Sequence, residues 1–522
     1  MRRLAYPVVA FAVLSACGTF DSSDSPDSPP PPDPAQEKEK ANENATPPVV
    51  GAALDGVFVS SSRGKDTNDG TADAPLATLA AGIKRAKEFG KRVIACAEDY
   101  AEAVTVVSGV SMFGAFDCSV SPWAKSEKRA VVRAPSSPAL QASNIPLRVR
   151  IDGFEIIAPD LGATAPKGPG APSIGVRLED VIDFELANVR VKAGTGAPGE
   201  DGEDPAPPAT PASATGSVGR AQGTSCVGNI CALRTYNPGG VAGNNPGCGA
   251  GAAPGVGGDG GTGIWYTNGI PQNGHNELGL PYAATAQTAQ GATAAVGVGT
   301  AGARGAVGSN GTNATGFTFD ATGAFSPASG APGGPGAGGQ GGGGGGAAIG
   351  YIVNGVAFSY APASAPQYYF ASTGGGGGAG GCGGLPGTGG HGGGASVALL
   401  SLKSQVAAFD VRLEASIGGP GGKGALGTLG SAGGGGGAGG SAYAGAGGMG
   451  GEGGPAGLSG HGATGPSIAM VFFGKAPSGA LTLLPGSSGP GQKATTRTVG
   501  NETQTMPAAP PGEALETYEI AP

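Results

Sequence analysis

The chain has 522 residues, a formal net charge of −8 and 107 glycines, the last far above the usual ~7% share. Charged residues make up 13% and apolar ones 39%, which excludes a disordered chain of the polyelectrolyte type. No run of Lys and Arg occurs, so the electrostatic footprint of a nucleic-acid binder is missing.

In chain order, Arg2 and Arg3 precede a mainly apolar run, Leu4 to Leu14, and then Leu14-Ser15-Ala16-Cys17. A basic start, a short apolar core and a small-residue cleavage site form a secretion signal over 1–16. The run is about half the ~20 residues that span a bilayer. Residues 14–17 resemble the bacterial lipobox. The resemblance implies export, cleavage before Cys17, lipidation of that cysteine, and membrane attachment through the lipid. Gly18 at the next position, by analogy with enterobacterial sorting, implies an outer-membrane lipoprotein, periplasmic or surface-exposed. The stretch 17–53, with Pro29 to Pro32 and Glu37-Lys38-Glu39-Lys40, reads as a solvated tether.

Folded sequence is expected from Leu54. Val57-Phe58-Val59 reads as a strand, and Asp66-Thr67-Asn68-Asp69-Gly70-Thr71 as a polar turn. Leu79, Ile83 and Ala86 at helical spacing, Thr78 as cap and Gly90 as terminator predict a helix over 79–89. From Val93 the period falls to two. Val93 to Cys96, Val104 to Val107, Val110 to Phe116, Ala130 to Arg133, Leu147 to Ile151, Phe154 to Ile157, Ile174 to Leu178, Phe184 to Leu186 and Val189 to Val191 read as strands with one buried and one wet face.

These segments, with Pro75-Leu76-Ala77-Thr78-Leu79, Gly109-Val110 and Ile151-Asp152-Gly153-Phe154, resemble the right-handed parallel β-helix (pectate-lyase-like, pectin lyase-like) superfamily over about 54–193. The resemblance implies a mainly β fold with a short N-terminal capping helix. A jelly roll or sandwich is the rival. Cys96 and Cys118 would then stand about one coil apart, and a disulfide between successive rungs is expected of them.

Beyond Ala193 come Gly-rich tracts, 194–346, 371–394 and 418–466. A repeat runs through them: Asn188-Val189-Arg190-Val191 aligns with Asp410-Val411-Arg412-Leu413, and Ser173-Ile174 with Ser396-Val397. Hence 347–486, namely 347–364, 395–417 and 467–485, are expected to add rungs to the same stack. The tracts would be long insertions, which loop entropy tolerates, and 487–522 a C-terminal tail. Flexible tracts and polyglycine-II-like packing both fit the composition. Collagen does not, because glycine does not keep a strict period of three. The pattern also resembles the PGRS-like, low-complexity surface proteins of myxobacteria, a likeness that implies no activity.

Seven cysteines occur. Beside Cys17 there are Cys96, Cys118, Cys226, Cys231, Cys248 and Cys382, candidates for disulfides in an exported chain. His275, His391 and His461 lack ligand-spaced partners and read as exposed loop residues. The Asp66 turn fits an Asx-type turn better than a calcium site. No metal site, cofactor motif or catalytic constellation emerges. Outward Asp152, Glu155, Glu179, Asp180, Asp183 and Glu185, with Arg148, Arg150 and Arg177, are the residues an enzymatic β-helix would draw on. Trp265-Tyr266 and Tyr368-Tyr369-Phe370 would either stack on sugars or fill the core. The leading expectation is a lipid-anchored structural or adhesive display protein without catalysis. A polysaccharide lyase or glycoside hydrolase, and a non-catalytic binder of extracellular polysaccharide, are the alternatives.

Overall fold

The computed structural model describes residues 33–48, 54–165, 167–220, 239–248, 254–260, 297–346, 373–440 and 444–522. It also gives the backbone of short strands at 226–227, 230–231, 236–237, 263–264, 348–353, 356–358 and 369–372. Cys17 and the segments around it lie outside these residues. Among the described residues no helix is long and apolar enough to cross a membrane.

Two ladders of parallel strands wrap one apolar core. In the first, Val57–Val59, Val93–Cys96, Met112–Asp117, Val149–Asp152, Phe184–Lys192, Val406–Glu414 and Ser478–Leu484 follow one another. In the second the order is Val104–Val106, Leu140–Ile145, Ser173–Val181, Ser396–Leu402, Ser467–Phe473 and Ala514–Glu519. From Leu140 on, the chain visits the two ladders in turn, so each pass buries the apolar face of the last. Val149, Ile151, Phe184, Leu186, Val406 and Ala408 point into this shared core.

Register fixes the corners. Gly153 (φ 76°), Asn188 (φ 49°) and Asp410 (φ 55°) occupy equivalent places in successive strands of the first ladder. Asn144, Asp180, Lys403 and Gly474, all at positive φ, do the same in the second. The left-handed conformation is cheap for Gly and tolerable for Asn and Asp, so these residues mark where each strand bends. The sequence repeat of 188–191 with 410–413 coincides with the ladder register, Val189 opposite Val411 and Arg190 opposite Arg412.

Helix α1, Pro34–Ala45, and helix α2, Leu79–Phe89, close the N-terminal end. Leu79, Ile83 and Ala86 of α2 face the core, and Gly90 ends the helix in the left-handed region. The Asp66 carboxylate accepts from the backbone of Ala77 and Thr78, both at 2.9 Å, so this turn serves to position the helix start. Glu102 accepts from the Leu79 and Ala80 amides in the same first turn. Helix α1 corrects the tether expectation for 17–53. Asp33 caps it, Ala41 and Ala45 are buried, and Asn44 Nδ2 donates to the Gly90 carbonyl at 3.0 Å.

Two further expectations change. The 487–522 segment is not a tail: Thr495–Val499 and Glu502–Met506 form a hairpin, and Ala514–Glu519 is the last strand of the second ladder. Strand Ala348–Val353 pairs antiparallel with Val356–Phe358 and Tyr369–Ser372 in a separate sheet, outside the parallel ladders. Strand 396–402, and strand 467–473 as far as Val471, are buried on both faces, because the hairpin of Phe317–Phe319 and Phe325–Pro327 covers their outer side. Phe317, Phe319, Phe325 and Tyr518 meet there with ring centroids 5.1–6.1 Å apart.

The described glycine tracts are packed. Their amides donate to neighbouring tracts with a period of three, as in Gly299→Ala446, Gly302→Met449, Gly305→Glu452, Gly308→Pro455 and Gly311→Leu458. A period of three is the signature of the threefold polyglycine-II helix, which has no internal hydrogen bonds and must find partners sideways. The tract 373–394 lies at the centre. Three consecutive amides, Gly376, Gly377 and Gly378, donate to Ser217, Gly258 and Gly448 on three different tracts. Carbonyls of the same stretch accept from Gly437, Gly243 and Gly342 on three more. Each tract touches the next around the ring, as in Gly257→Gly243, Gly258→Gly342, Gly448→Gly343 and Gly447→Gly437. A Cβ on Gly377 or Gly378 would overlap the carbonyl of Gly342 or Gly434, so side chains are sterically barred at this spacing. The bundle continues the ladders directly: Ala193→Glu414, Gly196→Ile417 and Gly199→Pro420 prolong the pairing of 184–192 with 406–414.

Candidate functional site

Alternation sends Arg148, Arg150 and Asp152 outward from one strand of the first ladder, and Asp183, Glu185 and Ala187 outward from the next. The register sets Arg150 opposite Glu185 and Asp152 opposite Ala187. Arg150 donates to Asp152 Oδ2 at 2.8 Å and to Glu185 Oε2 at 3.2 Å. Arg148 pairs with the other oxygen of Glu185 and stands 4.0 Å from Asp183. Asp152 and Glu185 are only 8% and 7% exposed, so these guanidiniums neutralise carboxylates taken out of water.

One rung further, Phe409 presents its ring to solvent at 51% exposure, with the Arg150 guanidinium 5.9 Å from its centroid. On the opposite flank Lys125 lies over the Phe116 ring at 4.8 Å. Burial pulls the Lys125 ammonium below its ordinary value; nearby Asp152 opposes this and Arg150 adds to it. Sequence reasoning missed Phe409. The signal was there, an aromatic at an outward position of Val406-Ala-Ala-Phe409, two residues beyond Ala407 in the row that holds Glu185.

The other outward candidates are dispersed. Glu155 pairs with Lys192 at 2.6 Å on the second half of the bent strands. Arg177 and Glu179 pair at 3.0 Å on the second ladder, where Arg177 also donates to the Thr322 carbonyl. Asp180 sits in the left-handed corner. The nine residues therefore do not form one groove; Arg148, Arg150, Asp152, Asp183 and Glu185 form one cluster, with the rest elsewhere.

Cys96 and Cys118 are bonded, Cα–Cα 5.7 Å, and so are Cys248 and Cys382, Cα–Cα 5.2 Å. The second bond ties the tract 239–248 to the fully buried centre of the bundle. The backbones of Cys226 and Cys231 face each other in an antiparallel pair; their side chains lie outside the described residues. Among the described residues, Cys96, Glu98 and Cys118 are the group whose metal-type ligand atoms lie within 4.8 Å of one another. The disulfide leaves no thiolate there to ligate. Glu98 instead accepts from Ser60, Ser61 and Ser62. Burial pushes its carboxyl up, yet the Ser62 side chain and amide and the Ser61 and Ser60 hydroxyls together hold it below the usual range.

His275, Trp265, Tyr266 and the side chains of Tyr368, Tyr369 and Phe370 fall outside the described residues. His391 meets Ser329 at 3.3 Å near the surface. His461 overturns the expectation of an exposed loop histidine. It is fully buried in the bundle, where Nδ1 accepts from the Gly424 amide at 3.1 Å.

No protein-family model matches the sequence, and no curated protein matches it. Among solved structures, a GH136 lacto-N-biosidase from Eubacterium ramulus aligns at 16% identity and a TM-score of 0.21, over 27% of each chain. A rhamnogalacturonan lyase aligns at 17% identity and a TM-score of 0.19, over 27% of this chain and 37% of that one. The chain thus spans well under half the length of each of these proteins, 27% and 37%. Likeness at this level leaves the function to the chemistry of the site.

Proposed function

We propose that this chain is a lipid-anchored envelope protein of bacteria, exported by residues 1–16 and acylated at Cys17. In this reading the two ladders are a right-handed parallel β-helix. The polyglycine bundle is a stiff lateral platform, and the whole serves as a non-catalytic surface that binds polysaccharide or other envelope components. The observation that carries the absence of hydrolysis is the engagement of the two buried carboxylates of the cluster. Glycoside hydrolysis needs one carboxyl free to give up a proton and a second free to attack or activate water. Asp152 and Glu185 are instead both held by Arg150, and Glu185 by Arg148 as well. An exposed ring beside fixed guanidinium and carboxylate groups suits a hydroxyl-rich ligand, through stacking on Phe409 and hydrogen bonds to the cluster rim.

A polysaccharide array, screened with the whole mature chain for retention and for released product, tests this. Retention without product is expected, with loss of retention in Phe409→Ala. Release of oligosaccharide from any polymer would replace this reading with that of a lyase or hydrolase built on the same cluster.

A further inference from the structure

Non-glycine positions of the bundle repeatedly use their side chains to accept lattice amides. Asn310 Oδ1 accepts from Leu458 at 3.0 Å and Asn313 Oδ1 from His461 at 2.9 Å. Ser431 Oγ and Thr428 Oγ1 accept from Cys382 and Leu385, both at 2.8 Å. Asp204 Oδ1 accepts from Gly427 at 2.6 Å. His461 belongs to this series through Nδ1 and the Gly424 amide.

Histidine differs from the other acceptors in one respect. An imidazole that accepts at Nδ1 carries its proton on Nε2, and a second proton can go only to Nδ1. Protonation therefore turns the acceptor into a donor aimed at another donor. The ring is 0% exposed, and among the described residues Nε2 has no hydrogen-bond partner, so a charge placed on it inside the bundle is costly.

We propose that His461 is an acid-sensitive latch of the glycine bundle: neutral, it adds its bond with Gly424 to the backbone bonds Ser459→Ala425 and Gly462→Gly422 that join the tracts 444–465 and 418–440, and its protonation loosens that seam around Gly424. The titratable groups facing it are Lys423 from the tract it binds and Asp201 from the tract 194–204; from the central tract the backbone carbonyl of His391 lies against the neighbouring Gly462, while the His391 ring meets Ser329. Burial lowers the affinity of the ring for a proton; Lys423 lowers it further, and Asp201 opposes without prevailing.

The folded value thus lies below the unfolded one of ~6.5. The latch is fully in place above ~6.5, and its contribution is lost as pH falls below that value, until the folded value is reached. Opening that frees the ring takes up one proton, so the opening constant rises about tenfold per pH unit below ~6.5, and up to about thirtyfold by pH 5.

Amide hydrogen exchange of the whole mature chain at pH 7.5 and pH 5.0, corrected for intrinsic rates, reads this directly. Protection of 419–427 and 457–465 is expected to fall up to about thirtyfold in the wild type. In His461→Asn, whose Oδ1 takes the place of Nδ1 without titrating, protection stays level, while His391→Asn keeps the wild-type response. Equal pH responses in wild type and His461→Asn would overturn the proposal. Should that variant fail to fold, an NMR titration of His461 in the wild type decides. A value at or above ~6.5 sinks the latch, and a depressed one upholds it.

Discussion

Gly378→Ala is expected to be among the most damaging single-methyl additions in this chain. Gly378 donates to Gly448 at 2.9 Å and accepts from Gly342 at 2.8 Å, and a Cβ on it would overlap the Gly434 carbonyl. The tract around Gly434 has to withdraw by on the order of 1 Å to regain van der Waals contact. That withdrawal weakens Gly434→Ala379 and Gly437→Gly376, both now at 2.8 Å. Two buried hydrogen bonds at a net ~0.5–1.5 kcal/mol each, added to an overpacking cost of ~1–3 kcal/mol, give about 2–6 kcal/mol. Gly435→Ala is the control, from another glycine run one residue past Gly434. A Cβ there meets only Thr215 Cγ2 at 3.7 Å, so the substitution is neutral, or stabilising by about 0.4–1 kcal/mol through the unfolded chain. Guanidinium melts combined with hydrogen exchange of 373–394 give both values. Equal effects of the two substitutions, or a Gly378→Ala cost below about 0.5 kcal/mol, would refute threefold packing around this tract.

Three further outcomes follow from the same contacts. Cys248→Ser with Cys382→Ser removes the covalent tie to the centre of the bundle and costs about 2–5 kcal/mol, read as earlier unfolding and proteolysis of 373–394. Asp410→Val forces a β-branched residue into φ 55° and destabilises by about 1–2 kcal/mol, whereas Asp410→Gly is tolerated; thermal unfolding separates them. Glu98 has a lowered carboxyl value, so its contribution is present above the unfolded value of ~4.3 and is lost as pH falls through the folded one. Glu98→Gln therefore flattens the acid limb of a stability profile between about pH 5 and 3, and an unchanged limb would contradict the serine cradle.

Where a single local rule decided the outcome, the sequence was readable. The α2 boundaries followed from Thr78 and Gly90, and the repeat of 188–191 with 410–413 anticipated the ladder register. Helix α1 was hidden because Glu37-Lys38-Glu39-Lys40 offers no apolar period; only Asp33-Pro34, a cap followed by proline, announced it. The C-terminal hairpin carried its signs in the threonine alternation of 495–499 and 502–506 around Gly500-Asn501, overlooked beside so much glycine. Ser396-Val-Ala-Leu-Leu-Ser-Leu402 lacks alternation, the mark of a strand buried on both faces. What covers it, the hairpin near Phe319, is far away in sequence, and no local pattern could name it. The ion-pair cluster was half legible: alternation placed its members outward, but only the register brought Glu185 between Arg148 and Arg150.

The glycine spacing holds more information than composition alone conveyed. The lattice has three sides per turn, and a side needs glycine where another tract lies close against it. The peripheral stretch 299–311 keeps glycine at one place in three, 299, 302, 305, 308 and 311, each amide turned toward the tract 444–465. The tract 444–465 keeps mostly two in three. Gly448, Gly451 and Gly454 donate to 337–343, Gly447, Gly450 and Gly453 donate to 431–437, and Met449, Glu452 and Pro455 fill the third row. The central stretch 374–384 is glycine throughout except Ala379, which is buried, and Cys382, whose side chain becomes the disulfide. Between Pro332 and Gly344 the pattern changes within one tract. Pro332 and Pro335 occupy a row that turns to glycine at Gly338, Gly341 and Gly344, and Val256 and Asp259 of the next tract lie against the last two. The number of glycines per triplet thus reports how many neighbours a tract has, and its change along a tract reports where a neighbour begins. Irregular glycine runs, which ruled out collagen, are what a bundle of unequal, folded-back tracts requires.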